Sequence, residues 1–147
     1  RAGMVLGAAG LAVGLALAGC SSQADDSGTS GSDSVAVESP APGEVSLLSA
    51  EQFDAALSQE SVVLLDVRTP EEFAEGHIEG ATNIDFYSPT FGNDIMALDE
   101  GQEYAVYCRS GNRSASTTAF MSENGFDSIY ELQGGIVAWE SAGLPVS

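Results

Sequence analysis

Hydrophobic and polar positions divide the chain into three stretches. No charge occurs from Ala2 to Gly19, and Met4 to Ala18 is almost wholly apolar. Ser21 to Glu44 is built mainly of Ser, Asp, Gly, Pro, Ala and Glu, with Val35 and Val37 its only large aliphatics. A segment of that kind does not bury enough apolar surface to offset the entropy of ordering it, so a flexible tether is expected there. From Val45 onward, short apolar runs of strand length alternate with amphipathic stretches. One globular domain is therefore expected over residues 45–147.

Within that domain the local signals are specific. Val45-Ser-Leu-Leu48 reads as a short strand, and Ser49 as the N-cap of a helix. Gln52, three residues on, completes a capping box, and Phe53, Ala56 and Leu57 share one helical face. Val62-Val-Leu-Leu-Asp-Val67 is an apolar run interrupted only by Asp66, as expected for a strand covered on both faces. Thr69-Pro-Glu-Glu72 is a second helix start, with a Thr cap, Pro at the first position and Glu at the third. Short elements follow at Ala81–Ile84 (strand) and Phe91–Leu98 (helix), then a strand over Tyr104–Tyr107 that ends at Cys108. A helix is expected from about Arg113 to Glu123, closed by Asn124-Gly125. Ser128–Glu131 reads as a last strand and Gly135–Ser141 as a last helix, stopped by Gly143 and Pro145. Alternating strands and helices predict an α/β fold: a central, mostly parallel sheet with helices on both faces.

Charge narrows the partners. The chain carries 22 acidic and 4 basic residues, a formal net charge of −18. Too few cations are present to make a nucleic-acid surface or to hold anionic lipid headgroups. All four basic residues are arginines (Arg1, Arg68, Arg109 and Arg113) and there is no lysine. Two cysteines do not make a disulfide scaffold, and a lone histidine, His77, with one available cysteine gives no metal cluster.

The apolar N-terminal run is short for a membrane span, which needs about 20 residues, and its Ala and Gly content suits a signal peptide better. It ends Leu17-Ala18-Gly19-Cys20, which resembles the lipobox of bacterial lipoproteins. The resemblance implies a signal over residues 1–19, lipid attachment at Cys20 and a tether over 20–44. The domain would then stand on the extracytoplasmic face of a bacterial membrane, held by lipid at Cys20 alone.

The chemistry is expected in the loop Cys108-Arg109-Ser110-Gly111-Asn112-Arg113-Ser114, which leads from a strand into a helix. Ligands of doubly wound sheets bind beyond the carboxyl ends of the strands. Such a loop aims several backbone N–H groups at one point, and the helix dipole adds to them. A cysteine at the rim of that nest is expected to have a lowered pKa and to act as a thiolate nucleophile. Arg109 and Arg113 stand beside it in sequence, and Arg68 follows the strand that ends Asp66-Val67.

Four segments, in order, are similar to the rhodanese family of sulfurtransferases. They are Leu65-Asp-Val-Arg-Thr-Pro-Glu-Glu-Phe73, Gly76-His-Ile-Glu-Gly-Ala-Thr-Asn-Ile84, the loop Cys108 to Ser114, and Leu132-Gln-Gly-Gly-Ile136 with Trp139. The resemblance implies a single rhodanese-like domain without a cofactor. Cys108 would take a sulfane sulfur from a small anionic donor such as thiosulfate, hold it as a persulfide and pass it to a thiol or cyanide. The loop residues Arg109, Ser110, Gly111, Asn112 and Arg113 would bind substrate, the two arginines holding the donor's anionic part and Arg113 doing so with both arms of its guanidinium. Asp66 and Arg68 would orient the loop from a neighbouring strand end. His77, Trp139, Phe73, Phe120 and Phe126 are expected to pack rather than react.

Two other functions share the architecture. Related cysteine phosphatases and arsenate reductases carry one more residue between cysteine and arginine. Here four residues separate Cys108 from Arg113, a loop whose size suits a sulfur atom. A non-catalytic binding module is disfavoured because the cysteine is kept, whereas a persulfide carrier would share the first half of the reaction. Removal of Arg1 with the signal would leave the three other arginines in the two active-site signatures. Repulsion from the acidic surface is expected to slow anionic donors, and added salt to relieve it.

Overall fold

The computed structural model describes residues 37–147. Its elements follow in the order β1 (Glu44–Leu48), α1 (Ala50–Leu57), β2 (Val62–Asp66), α2 (Pro70–Glu75), β3 (Thr82–Asn83), α3 (Phe91–Met96), β4 (Glu103–Tyr107), α4 (Asn112–Glu123), β5 (Ser128–Leu132) and α5 (Gly135–Ser141). The five strands form one sheet in the order β1-β5-β4-β2-β3, and every pairing is parallel. The expected α/β architecture is the one observed, with element ends displaced by a residue or two.

Strand parity divides the core in two. On β4, Ala105 and Tyr107 join Phe53, Ala56, Tyr130, Leu132, Ile136 and Trp139, the side covered by α1 and α5. Tyr104 and Val106, with Cys108 just beyond, join Leu65, Val67, Met121, Phe126 and Ile129, the side covered by α4. Successive strand residues point to opposite faces, so the register that buries Tyr104 and Val106 also sends Cys108 toward α4. Each fully buried Leu, Ile or Phe here contributes roughly 1.5–3 kcal/mol, and that burial fixes where the strand ends project.

Contacts with the domain start before Val45, where the sequence suggests it begins. Val37 packs against the α1/α5 side of the core, and Pro40 is buried. Gly43 N–H donates to the Asp127 carbonyl, Ser128 Oγ to the Pro40 carbonyl and Ser39 Oγ to Glu103 Oε1. Residues 37–44, expected as the end of the tether, are thus laid against β5 and the base of β4. Their composition is that of a linker, but a valine, a proline and a few backbone groups find partners on the domain. The other N-terminal expectations, including Cys20 and the signal over residues 1–19, fall on residues 1–36, outside the described residues.

Candidate active site

Cys108 sits one residue past β4, where the chain turns into α4. The residue is only 1% exposed. Its Sγ accepts the Gly111 N–H at 3.1 Å and lies 3.5 Å from Ser114 Oγ. Gly111 is the N-cap of α4 with φ 108°, a left-handed conformation that suits glycine, and no side chain caps the helix. The N–H groups that a Ser or Asp cap would satisfy are therefore turned toward the sulfur. Burial pushes the thiol up, but the Ser114 hydroxyl and the N–H groups of Ser114, Gly111 and Ser110 outweigh it, and the net direction is down. The low thiol pKa expected of the loop is present, and its cause is hydrogen bonding at a helix N-terminus.

The second helix start at this edge closes the loop from the far side. Gly134 and Gly135 open α5 with φ 76° and 63°, again without a side-chain cap. Ile136 N–H donates to the Cys108 carbonyl and Val137 N–H to the Arg109 carbonyl. A Cβ on Gly135 would lie 2.5 Å from the Cys108 and Arg109 carbonyl oxygens, so only glycine lets α5 seat against the loop.

The three arginines of this edge stand differently from one another. Arg113 was expected to hold a donor anion with both arms of its guanidinium. Instead its two terminal nitrogens grip Glu72, Nη1 to Oε2 at 2.7 Å and Nη2 to Oε1 at 2.8 Å. Its guanidinium also lies 5.6 Å from the Tyr87 ring centroid. Glu72 is held down to about 2, chiefly by Arg113, so the charge of Arg113 is already matched. Glu72 serves twice, because its Oε2 also accepts the Thr69 N–H in the capping box of α2.

Arg68 is buried and tied to Asp66, with Nε 2.9 Å and Nη2 2.6 Å from Oδ2. Nη2 also donates to the Gly76 carbonyl at the end of α2. Asn83 Nδ2 fastens the carbonyls of Asp66 and Arg68. Asp66 and Arg68 thus hold the turn between β2 and α2, and α2 in turn carries Glu72 to Arg113.

Arg109 is the exposed cation. Among the described residues no carboxylate lies within ion-pairing distance of it. It lines a cavity of about 430 Å³ with Arg68, Glu72, Ile136, Val137 and Val146, and with the carboxylates of Glu75 and Glu140. The cavity adjoins the cysteine loop through Arg109 and Ile136. Ser110 and Asn112 are exposed on the loop, Ser110 adding its N–H to the nest.

Several residues take the packing roles expected of them. His77 stacks on Phe73, with ring centroids 3.8 Å apart, and its Nδ1 is 3.0 Å from the Phe73 carbonyl. Trp139 and Phe126 are buried, and Phe120 packs against the α4 side. Sequence reasoning missed Glu72 as the partner of Arg113, Gly135 as the close-approach residue, and Glu131. Glu131 is a buried carboxyl whose Oε1 accepts from Ser114 Oγ at 2.9 Å. The sequence signal was one acid inside an otherwise apolar run, Ile129-Tyr130-Glu131-Leu132.

Comparison with known proteins bears on the family and the fold. A sulfurtransferase of Allochromatium vinosum is 34% identical over 87 residues, covering 59% of this chain and 79% of that protein. A thiosulfate sulfurtransferase (GlpE) of Pseudomonas entomophila is 37% identical over 86 residues, covering 58% and 77%. Among solved structures, a rhodanese-related protein of Thermoplasma volcanium superposes with a TM-score of 0.62 and 31% identity, over 69% of this chain and 97% of that one. A protein of unknown function from Rhodopseudomonas palustris, described as a possible tyrosine phosphatase, superposes with a TM-score of 0.56 and 27% identity, over 70% and 85%. The model of the rhodanese-like domain matches residues 49–142, and on that match the chain belongs to the rhodanese-like family.

Proposed function

We propose that the domain moves a sulfane sulfur from a small anionic donor such as thiosulfate, through a persulfide on Cys108, to a thiol or to cyanide. Family membership and the sulfurtransferases among its relatives support a rhodanese-type sulfurtransferase in general. The finer reading rests on one observation: the Cys108 sulfur accepts the Gly111 N–H at 3.1 Å at the uncapped N-terminus of α4.

The Cys108 thiolate attacks the outer sulfur of the donor. A new S–S bond forms as the donor's own S–S bond breaks, and sulfite leaves with the electron pair. In the second half the acceptor, as thiolate or cyanide, attacks the outer persulfide sulfur, and Cys108 departs as the thiolate it began as. Negative charge stays near one point throughout, which is what the Gly111, Ser110 and Ser114 N–H groups stabilise. Arg109, unpaired and facing the cavity, draws the anionic end of the donor toward the loop. Arg113, matched by Glu72, holds the shape of the loop.

The N-terminal segment fits the same reading. Leu17-Ala18-Gly19-Cys20 supports attachment through lipid on Cys20 at the extracytoplasmic face of a bacterial membrane. Metabolic labelling with an alkyne fatty acid in a bacterial host is expected to mark the protein and to spare Cys20→Ser.

Steady-state assay of thiosulfate and cyanide tests the proposal. Thiocyanate production with ping-pong kinetics, abolished in Cys108→Ser, is the expected result. Cys108-dependent hydrolysis of an aryl phosphate without thiocyanate production would instead favour a phosphatase.

A further inference from the structure

Glu131 lies on the α4 face of β5 and is 6% exposed. Among the described residues no cation pairs with it. Its two oxygens are met by two hydroxyls of α4: Ser114 Oγ at 2.9 Å from Oε1 and Thr118 Oγ1 at 3.1 Å from Oε2. The residues registered beside it on the neighbouring strands, Leu47 on β1 and Val106 on β4, are apolar. A buried carboxyl without a cation is costly to keep, so its few hydrogen bonds are strongly held.

Ser114 is itself fully buried and has one proton to give. Three acceptors surround its Oγ: Glu131 Oε1, the Gly111 carbonyl at 3.0 Å and Cys108 Sγ at 3.5 Å. A carboxylate accepts hydrogen bonds and donates none, and it is the strongest acceptor of the three. The nearest hydroxyl to the nucleophilic sulfur is therefore contested by a carboxylate on the far side.

We propose that Glu131 is a positioning residue for Cys108: by drawing the Ser114 proton to itself, it limits the hydrogen bond that Ser114 gives the sulfur. This rests on Cys108 being the nucleophile, as the proposed function has it. The consequence is chemical. A thiolate that receives every available hydrogen bond is abundant but sluggish, since intrinsic nucleophilicity falls with pKa. Glu131 leaves the loop N–H groups to hold the thiolate and weakens, without removing, the hydrogen bond from the hydroxyl, which keeps the sulfur reactive once formed. Other charged groups near the sulfur are Arg113 on α4, matched by Glu72 of α2, and the exposed Arg109 of the loop. Tyr107, on β4 itself, faces the Asp66–Arg68 side. Among the described residues none of these side chains hydrogen-bonds the Ser114 hydroxyl.

The test is the pH dependence of Cys108 alkylation by iodoacetamide in the described domain within the full chain, with Cys20→Ser as the background. Glu131→Gln is expected to lower the midpoint by about one pH unit and to slow the limiting rate at high pH. Ser114→Ala is expected to raise the midpoint more in the Glu131→Gln background than alone, a coupling that a through-space charge effect would not produce. A folded Glu131→Gln protein with an unchanged or raised midpoint overturns the proposal, and so does a coupling of zero. Should Glu131→Gln not fold, Thr118→Val serves. With its second hydroxyl gone, Glu131 leans harder on Ser114 and the midpoint must rise; no movement overturns the proposal. Alkylation needs no sulfur donor, so failure of sulfur transfer and failure of this inference are read separately.

Discussion

Helices α1 and α2 begin one way, and α4 and α5 another. Ser49 and Thr69 close the first pair with full capping boxes, in which side chains take up the free N–H groups. Gly111 and Gly134 open the second pair in left-handed conformations, with no side-chain cap at either. The first kind of start is finished in itself and belongs to stability. The second leaves donors to be satisfied from outside, and in α4 what they meet is the Cys108 sulfur. One sequence thus carries, on parallel strands of a single sheet, helix starts that complete the fold and helix starts that complete a site.

The largest effect should come from crowding an open start. Gly135→Ala places a methyl against the Cys108 and Arg109 carbonyls at a φ of 63°. A loss of roughly 2–4 kcal/mol is expected from strain and overpacking together, measured by urea denaturation. The open start also depends on Arg109, which among the described residues pairs with no carboxylate. Arg109→Gln should raise KM for thiosulfate about tenfold, close to 1.4 kcal/mol of binding, with kcat little changed. An equal fall in kcat would move Arg109 from binding into the chemical step.

Glu72 joins the two kinds of start, since it caps α2 and pairs with Arg113 of α4. Its folded-state pKa, about 2, lies below the ordinary 4.5. The unfolded chain therefore binds the proton more readily, and stability rises with pH across that window. The contribution is complete above about pH 4.5 and is lost as the pH falls through about 2. Because solvent reaches Glu72 and screens the pair, about 1 kcal/mol is expected. Glu72→Gln should remove this part of the acid dependence, as read from unfolding midpoints against pH. The smallest effect belongs to a closed start: Ser49→Ala should cost about 0.5–1 kcal/mol and leave sulfur transfer unchanged.

What could be read from the sequence was local. The spacing of Ser49 to Gln52 and of Thr69 to Glu72 names two helix starts outright, because a capping box spans three residues. The end of the strand over Tyr104–Tyr107 at Cys108 is likewise written in the chain, whereas the face on which the sulfur lies is not, because Tyr104 to Tyr107 is apolar throughout. Partnerships made across the sheet were not legible. Arg113 and Glu72 are 41 residues apart and Ser114 and Glu131 are 17 apart. Which carboxylate meets which donor follows from the strand order β1-β5-β4-β2-β3, and that order is set by the whole pattern of crossovers. Hence the pairing of Arg113 with Glu72 went unread, and Val37 read as linker although it packs against the core. Composition describes what a segment offers, while the neighbouring surface decides whether it is taken up.

The central claim is that the open start of α4 makes Cys108 a carrier of sulfur. Intact-mass measurement of the reduced, folded protein after incubation with thiosulfate at neutral pH addresses it directly. The account predicts a gain of one sulfur atom, located on Cys108, absent in Cys108→Ser and removed by added thiol or cyanide. A folded protein with a reduced Cys108 that gains no sulfur would contradict it.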